Sequence, residues 1–125
     1  MRAYLVVLVG GGIGSALRHA VNVAFARWFG TSFPFHTLFE NVSGSLLMGL
    51  IAGYFAFRGD ASQAVRLFLT TGVLGGYTTF SAFSLEAMLL WEQHHIGKAT
   101  LYVLLSVGAS LAGLWLGLYL ARKML

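Results

Sequence analysis

The sequence predicts an all-α integral membrane protein with four transmembrane helices in a single domain. Three observations carry that expectation. Hydrophobic residues make up 58% of the 125-residue chain and charged residues only 10%, whereas a soluble domain is about half apolar and about a quarter charged. Apolar stretches near ~20 residues recur, the length that crosses a bilayer core. Short turns of polar residues, one of them holding the only proline, separate these stretches. The net charge of +4 arises from basic residues scattered over the helix ends. That pattern fits membrane flanks and argues against a nucleic-acid surface. Cysteine is absent, which excludes disulfides and thiolate metal sites. No cleavable signal peptide is expected, because the first apolar stretch is long and leads into further spans.

The first span is read from about Tyr4 to Phe29. Gly10 and Gly14 form a small-xxx-small pair that lets two helices approach closely. Gly12 and Gly14 do not make a dinucleotide fingerprint, since no third glycine or βαβ pattern accompanies them. Arg18 and His19 interrupt the apolar run. Arg18 either snorkels to the interface or holds an ion or a backbone carbonyl inside the protein. Pro34 then marks a loop.

The second span is read from about His36 to Phe57. Thr37, Asn41 and Ser45 recur every four residues and make a polar stripe. Asn41 is costly in a bilayer unless it faces protein or water. Gly49 and Gly53 supply a second close-contact face. Glu40 lies one turn from His36. The expectation is a His36–Glu40 pair near the membrane surface; the alternative is an acid working at membrane depth.

After a polar turn at 58–63, the third span is read from about Ala64 to Trp91. Within it, Gly72, Gly75 and Gly76 are followed by Tyr77, Thr78 and Thr79. Glycine is a poor helix interior, and β-branched or aromatic side chains lose rotamer freedom on a helix. A break is therefore expected near Gly75 to Thr79. Backbone groups freed at membrane depth need protein, water or an ion, so the break is either a packing kink or an ion site. Beyond it, Phe80 and Phe83 share one face, and Ser81 and Ser84 another. Glu86 extends the Phe83 face, either lining a wet vestibule or capping the helix. His94 and His95 are adjacent, point apart, and lack a third ligand for a metal.

The fourth span is read from about Lys98 to Leu120. Tyr102, Ser106 and Ser110 form a third polar stripe. Gly113 and Gly117 form a third small-residue face. Arg2, Arg58, Arg66, Arg122 and Lys123 fall on the side of the chain ends, and Arg27 and Lys98, with Arg18 if it counts, on the other, a modest bias that only weakly favours both ends in the cytoplasm. Insertion in both orientations is compatible with so weak a bias. Four helices cannot both fill their own interior and enclose a wide pore, so the small-residue faces are expected to seat a second copy.

The chain holds no nucleophile elbow, phosphate loop or zinc motif. With four acids and no carboxylate pair placed for acid–base work, enzymatic activity is not expected.

Gly75-Gly76-Tyr77-Thr78-Thr79-Phe80-Ser81-Ala82-Phe83-Ser84 resembles the GGxTTFSTFS signature of the Fluc (CrcB-type) fluoride channels. Gly10 to Arg18 looks like that family's first-helix GGxxGxxxR stretch, and Thr37 to Ser45 resembles its second-helix GTxxxN region. Length, span number and motif order agree over the whole chain. The resemblance implies an antiparallel, dual-topology homodimer in the bacterial inner membrane, with two pores that release fluoride from the cytoplasm passively. It implies that Phe80 and Phe83 line the pore, with Asn41 beside them. Ser81, Ser84 and Thr37 would belong to a hydroxyl track, Glu86 to a vestibule, and Tyr102, Ser106 and Ser110 to the fourth-helix pore wall. Arg18 would lie near the vestibule. The backbone carbonyls of Gly75 and Thr78, from both subunits, would hold a structural sodium ion. Ala82, Leu114, His36 and Glu40 depart from the family pattern.

Two other classes compete. A small dual-topology multidrug or guanidinium transporter is similar in size but relies on an acid in its first helix, and none is present here. The other is a non-transporting assembly subunit.

Overall fold

The computed structural model describes residues 1–59 and 62–124, without the side chains of Phe57 and Arg58. Part of the turn read at 58–63, and the Arg58 side chain counted in the charge bias, lie outside the described residues. The described chain is helical nearly throughout. Helix α1 covers Arg2–Phe29 and α2 Phe35–Arg58. The third span is assembled from α3 (Gln63–Leu67), a π-helical segment (Phe68–Leu74), the single turn α4 (Gly75–Tyr77) and α5 (Phe80–Glu92). Helix α6 covers Ile96–Met124. Four stretches, Arg2–Phe29, Phe35–Ala56, Gln63–Glu92 and Ile96–Met124, are long and apolar enough to cross a membrane.

The ends follow local chemistry. Gly30 and Gly59 stop α1 and α2 with φ of 73° and 66°, a backbone that side chains with a Cβ rarely adopt. Pro34 precedes α2, where its missing N–H costs no helical bond. The Ser62 hydroxyl caps α3 by accepting from the Val65 N–H at 3.2 Å.

The break lies later than the glycines suggest. Gly75 to Tyr77 remain helical, and the chain turns extended only at Thr78 (φ −84°, ψ 158°) and Thr79 (φ −153°, ψ 123°). Both threonines stabilise this geometry. Thr78 Oγ1 donates to the Leu74 carbonyl at 2.9 Å. Thr79 Oγ1 accepts from the Ala82 N–H at 3.1 Å, capping α5. Gly76 serves packing instead: a Cβ there would run into the Gly11 carbonyl.

The break lets the third span change partners. Its first part, through α4, packs on α1; beyond Thr79, α5 packs on α6. Helices α2 and α6 form the other main contact. Glycines make both contacts close. A Cβ on Gly14 would collide with the Val73 carbonyl, and one on Gly117 with the Leu46 carbonyl beside Gly49. Gly10, Gly53 and Gly113 likewise face neighbouring helices of the same chain. The small-residue faces are therefore filled within the subunit and do not provide the surface for a second copy that their spacing suggests.

Gly117→Val should destabilise the fold by ~1–3 kcal/mol, the usual cost of overpacking a tight contact. Gly12→Ala has open space at its Cβ and should stay within ~0.5 kcal/mol of the parent. Thermal unfolding of both variants in detergent checks the contrast.

Candidate ion path

The candidate path starts at the break. The Thr79 N–H, with no helical acceptor in reach, donates to Asn41 Oδ1 at 2.8 Å. Asn41 Nδ2 returns a bond to the Thr79 carbonyl at 3.0 Å. One amide side chain thus satisfies both backbone groups of the residue at the break. The Gly76 carbonyl accepts from Arg18 Nε at 3.1 Å. Arg18 therefore holds a carbonyl inside the protein; it does not snorkel, and it leaves the count of flanking charges.

Beside the break lies a cleft of about 370 Å³ between α2, α5 and α6. Asn41, Phe80, Phe83, Ser106 and Ser110 line it, with Leu114 where a further hydroxyl is common in the resemblance. The Phe80 and Phe83 rings sit 5.4 Å apart at 54°. Phe83 is buried, but Phe80 is 76% exposed, so the cleft opens to one side. The hydroxyl oxygens of Ser106 and Ser110 are buried with no hydrogen-bond partner. Buried polar atoms are nearly always paired, which makes these two hydroxyls candidates for a visiting ligand.

At the end that carries the α1–α2 and α5–α6 turns, a polar cluster adjoins the cleft. Tyr102, fully buried, packs its ring 5.2 Å from that of Phe83. Its hydroxyl donates to Glu86 Oε1 at 3.1 Å. Glu86 Oε2 lies 3.2 Å from His36 Nε2. Glu86 is thus tied into the protein and does not cap the helix end. Glu40 Oε1 is 4.0 Å from His36 Nδ1, yet Glu40 is fully buried. The surface pair expected there is instead a buried acid, because α1 covers that face of α2. Thr37 is also fully buried, with Oγ1 3.1 Å from His36 Nδ1.

Not every expected residue gathers here. Ser81 is exposed and pairs with Thr79 Oγ1 at 3.3 Å. Ser84 donates to the Phe80 carbonyl at 2.9 Å. Neither lines the cleft within one chain. Asn22 went unread in the sequence. Its amide lies against Glu40 Oε1, His36 Nδ1 at 2.9 Å and the Arg18 carbonyl at 3.2 Å, and these acceptors assign its nitrogen to that side. The signal was available, since Asn22 follows Arg18 by one turn on the same face. Among the described residues no cluster of acids and histidines is arranged to hold a metal.

Comparison with known proteins decides the family. The profile described as CrcB-like protein, Camphor Resistance (CrcB), matches residues 5–118. The chain belongs to the CrcB-like family. Curated members resemble it over nearly their whole length. A protein of Rhodopseudomonas palustris (strain BisB5) named fluoride-specific ion channel FluC is 63% identical over 119 residues, 95% of this chain and 96% of that one. One of Nitrobacter hamburgensis named fluoride-specific ion channel FluC 2 is 61% identical over 121 residues, 97% of this chain and 98% of its own. A FluC of Methylobacterium nodulans is 58% identical over 119 residues, 95% of each chain. Family membership together with four spanning helices makes this a multi-pass membrane protein.

Asn41→Leu removes both bonds at Thr79 and leaves its N–H and carbonyl unpaired. At about 1 kcal/mol per bond plus the penalty for unpaired buried groups, the loss should reach roughly 2–4 kcal/mol. Thermal unfolding in detergent, read beside Gly12→Ala as an unaffected control, checks it.

Proposed function

We propose that this chain is the subunit of a fluoride-selective channel through which fluoride leaves the cytoplasm passively. One observation carries the reading: a cleft that sets two phenylalanine rings opposite two buried, unpartnered serine hydroxyls. The names of its close relatives support it. A bare anion at membrane depth is costly unless new partners replace its water. The Ser106 and Ser110 hydroxyls can donate to fluoride. So can the second hydrogen on Asn41 Nδ2, since Thr79 takes only one. Phenylalanine edges add positive potential without a fixed charge, and conduction needs weak, repeated binding. The multidrug reading lacks its first-helix acid.

The working unit is an antiparallel, dual-topology homodimer with two pores in the bacterial inner membrane. The open side of the cleft and the exposed Phe80 ring support a second copy closing the path. Ser81, exposed on α5, and Ser84 would then serve as the hydroxyl track in the assembled pore, and Thr37, Glu86 and Tyr102 would form its mouth. A structural sodium ion suits the Gly75 and Thr78 carbonyls. Gly75 is exposed, and the Thr79 N–H that its carbonyl would have accepted goes to Asn41. The set is all oxygen without a carboxylate, as a hard cation accepts, and two oxygens per chain would need a second chain to complete the shell.

Phe80→Ile and Phe83→Ile should each reduce fluoride efflux from liposomes by about tenfold or more, equivalent to roughly 1.4 kcal/mol on the barrier. Phe80 makes the cleaner test, because its exposed ring holds little of the subunit together. Parental efflux from both intact variants would remove the rings from the mechanism. Tagged termini should be labelled from both faces of the membrane; labelling from one face only would refute dual topology.

A further inference from the structure

We infer that His36, Glu40 and Glu86 form a proton-binding site that sets the charge at the mouth of the ion path. The inference rests on the channel reading above and adds to it a regulation that acts on the same path.

The three groups form a chain from surface to interior. Glu86 and His36 keep 20% and 24% of their side-chain surfaces exposed, while Glu40 keeps 1%. Protons arriving from water can reach both Glu86 and His36, and the buried Glu40 lies behind them. Glu86 Oε2 is 3.2 Å from His36 Nε2, and across the imidazole Nδ1 is 4.0 Å from Glu40 Oε1. An imidazole passes a proton by accepting on one nitrogen and releasing from the other, and its charge changes near neutral pH.

The neighbours define the resting state. With its nitrogen assigned to the side that faces these acceptors, the Asn22 amide donates to both His36 Nδ1 and Glu40 Oε1. With Nδ1 accepting, the imidazole proton sits on Nε2 and points at Glu86. A half-turn of the Asn22 amide would present its oxygen to a protonated Nδ1, so the same side chain serves both states. Glu40 Oε2 is buried without a hydrogen-bond partner. It can take up a proton without giving up a bond.

The charges facing this cluster come from every neighbouring helix. Helix α1 contributes Arg18, whose Nε is held by the Gly76 carbonyl. Helix α5 contributes Glu86, and α6 contributes Tyr102, which donates to Glu86. With His36 neutral and both acids ionised, the three groups carry two negative charges against the single positive charge of Arg18, and the excess repels an incoming anion. Uptake of two protons, one by His36 and one by Glu40, cancels the two negative charges. Fluoride conductance should therefore rise as pH falls.

Fluoride current in planar bilayers tests this, because neutral hydrogen fluoride carries no current. Wild-type current should rise several-fold as symmetric pH falls from about 7.5 to about 5.5, across the range where imidazole titrates. Glu40→Gln should start higher at the upper pH and respond less. His36→Gln should stay low at both. The His36 ring resonances in the wild-type protein should titrate over the same range as the current, a check that needs no variant. Fluoride current that is independent of pH, a pH response unaltered in both variants, or a His36 titration that does not track the current would each overturn the proton site and leave the channel standing. No fluoride current at any pH would overturn the channel itself, and the proton site with it.

Discussion

The pairing of Asn41 with Thr79 is the constraint on which the rest of this structure depends. A helix broken at membrane depth exposes backbone groups that hydrocarbon cannot satisfy. Here one carboxamide, from the neighbouring helix α2, meets both groups of the residue at the break. Because those groups are satisfied, the third span can stop, step sideways and resume. Because it steps sideways, its first half packs on α1 and its second half on α6. The cleft lies where that exchange happens. Both phenylalanines belong to the resumed helix, and both unpartnered serines belong to the helix it joins.

The sequence made the architecture readable and left its local causes hidden. Four spans follow from runs of apolar residues, which need no knowledge of neighbours. The break was placed between Gly75 and Thr79 by the glycines together with the Tyr77-Thr78-Thr79 run; it falls within that range, on the threonines and not on the glycines. Gly76 is small because α1 lies against it, whereas Thr78 and Thr79 break the helix by competing for its backbone bonds. The π-helical segment before it has no one-dimensional signature. The small-xxx-small pairs were legible as close contacts, but spacing does not say whether the partner helix belongs to the same chain. Arg18 and Glu40 show the same limit. Whether a charge near a helix end reaches water depends on what packs over it, and α1 and α2 cover one another there.

The cleft combines few polar atoms with much apolar wall. Leu74, Val107, Leu111 and Leu114 line it beside the hydroxyls. On the channel reading, a small anion stripped of water would gain from each scattered donor without meeting a fixed positive charge, since Arg18 lies outside the cleft lining. The two carboxylates lie in the polar cluster beyond Tyr102, outside the cleft lining. In the proposed channel, attraction along the path and control of entry would therefore fall to different residues.

The glycine contacts also bear on how such a protein is made. Each tight helix approach joins segments of one chain, so the subunit's close packing is finished without outside help. A newly inserted chain can acquire this packing singly in the lipid. If, as proposed, the working unit is a pair of oppositely inserted copies, their encounter would be a separate, concentration-dependent event, governed by abundance in the membrane and by the ratio of the two orientations.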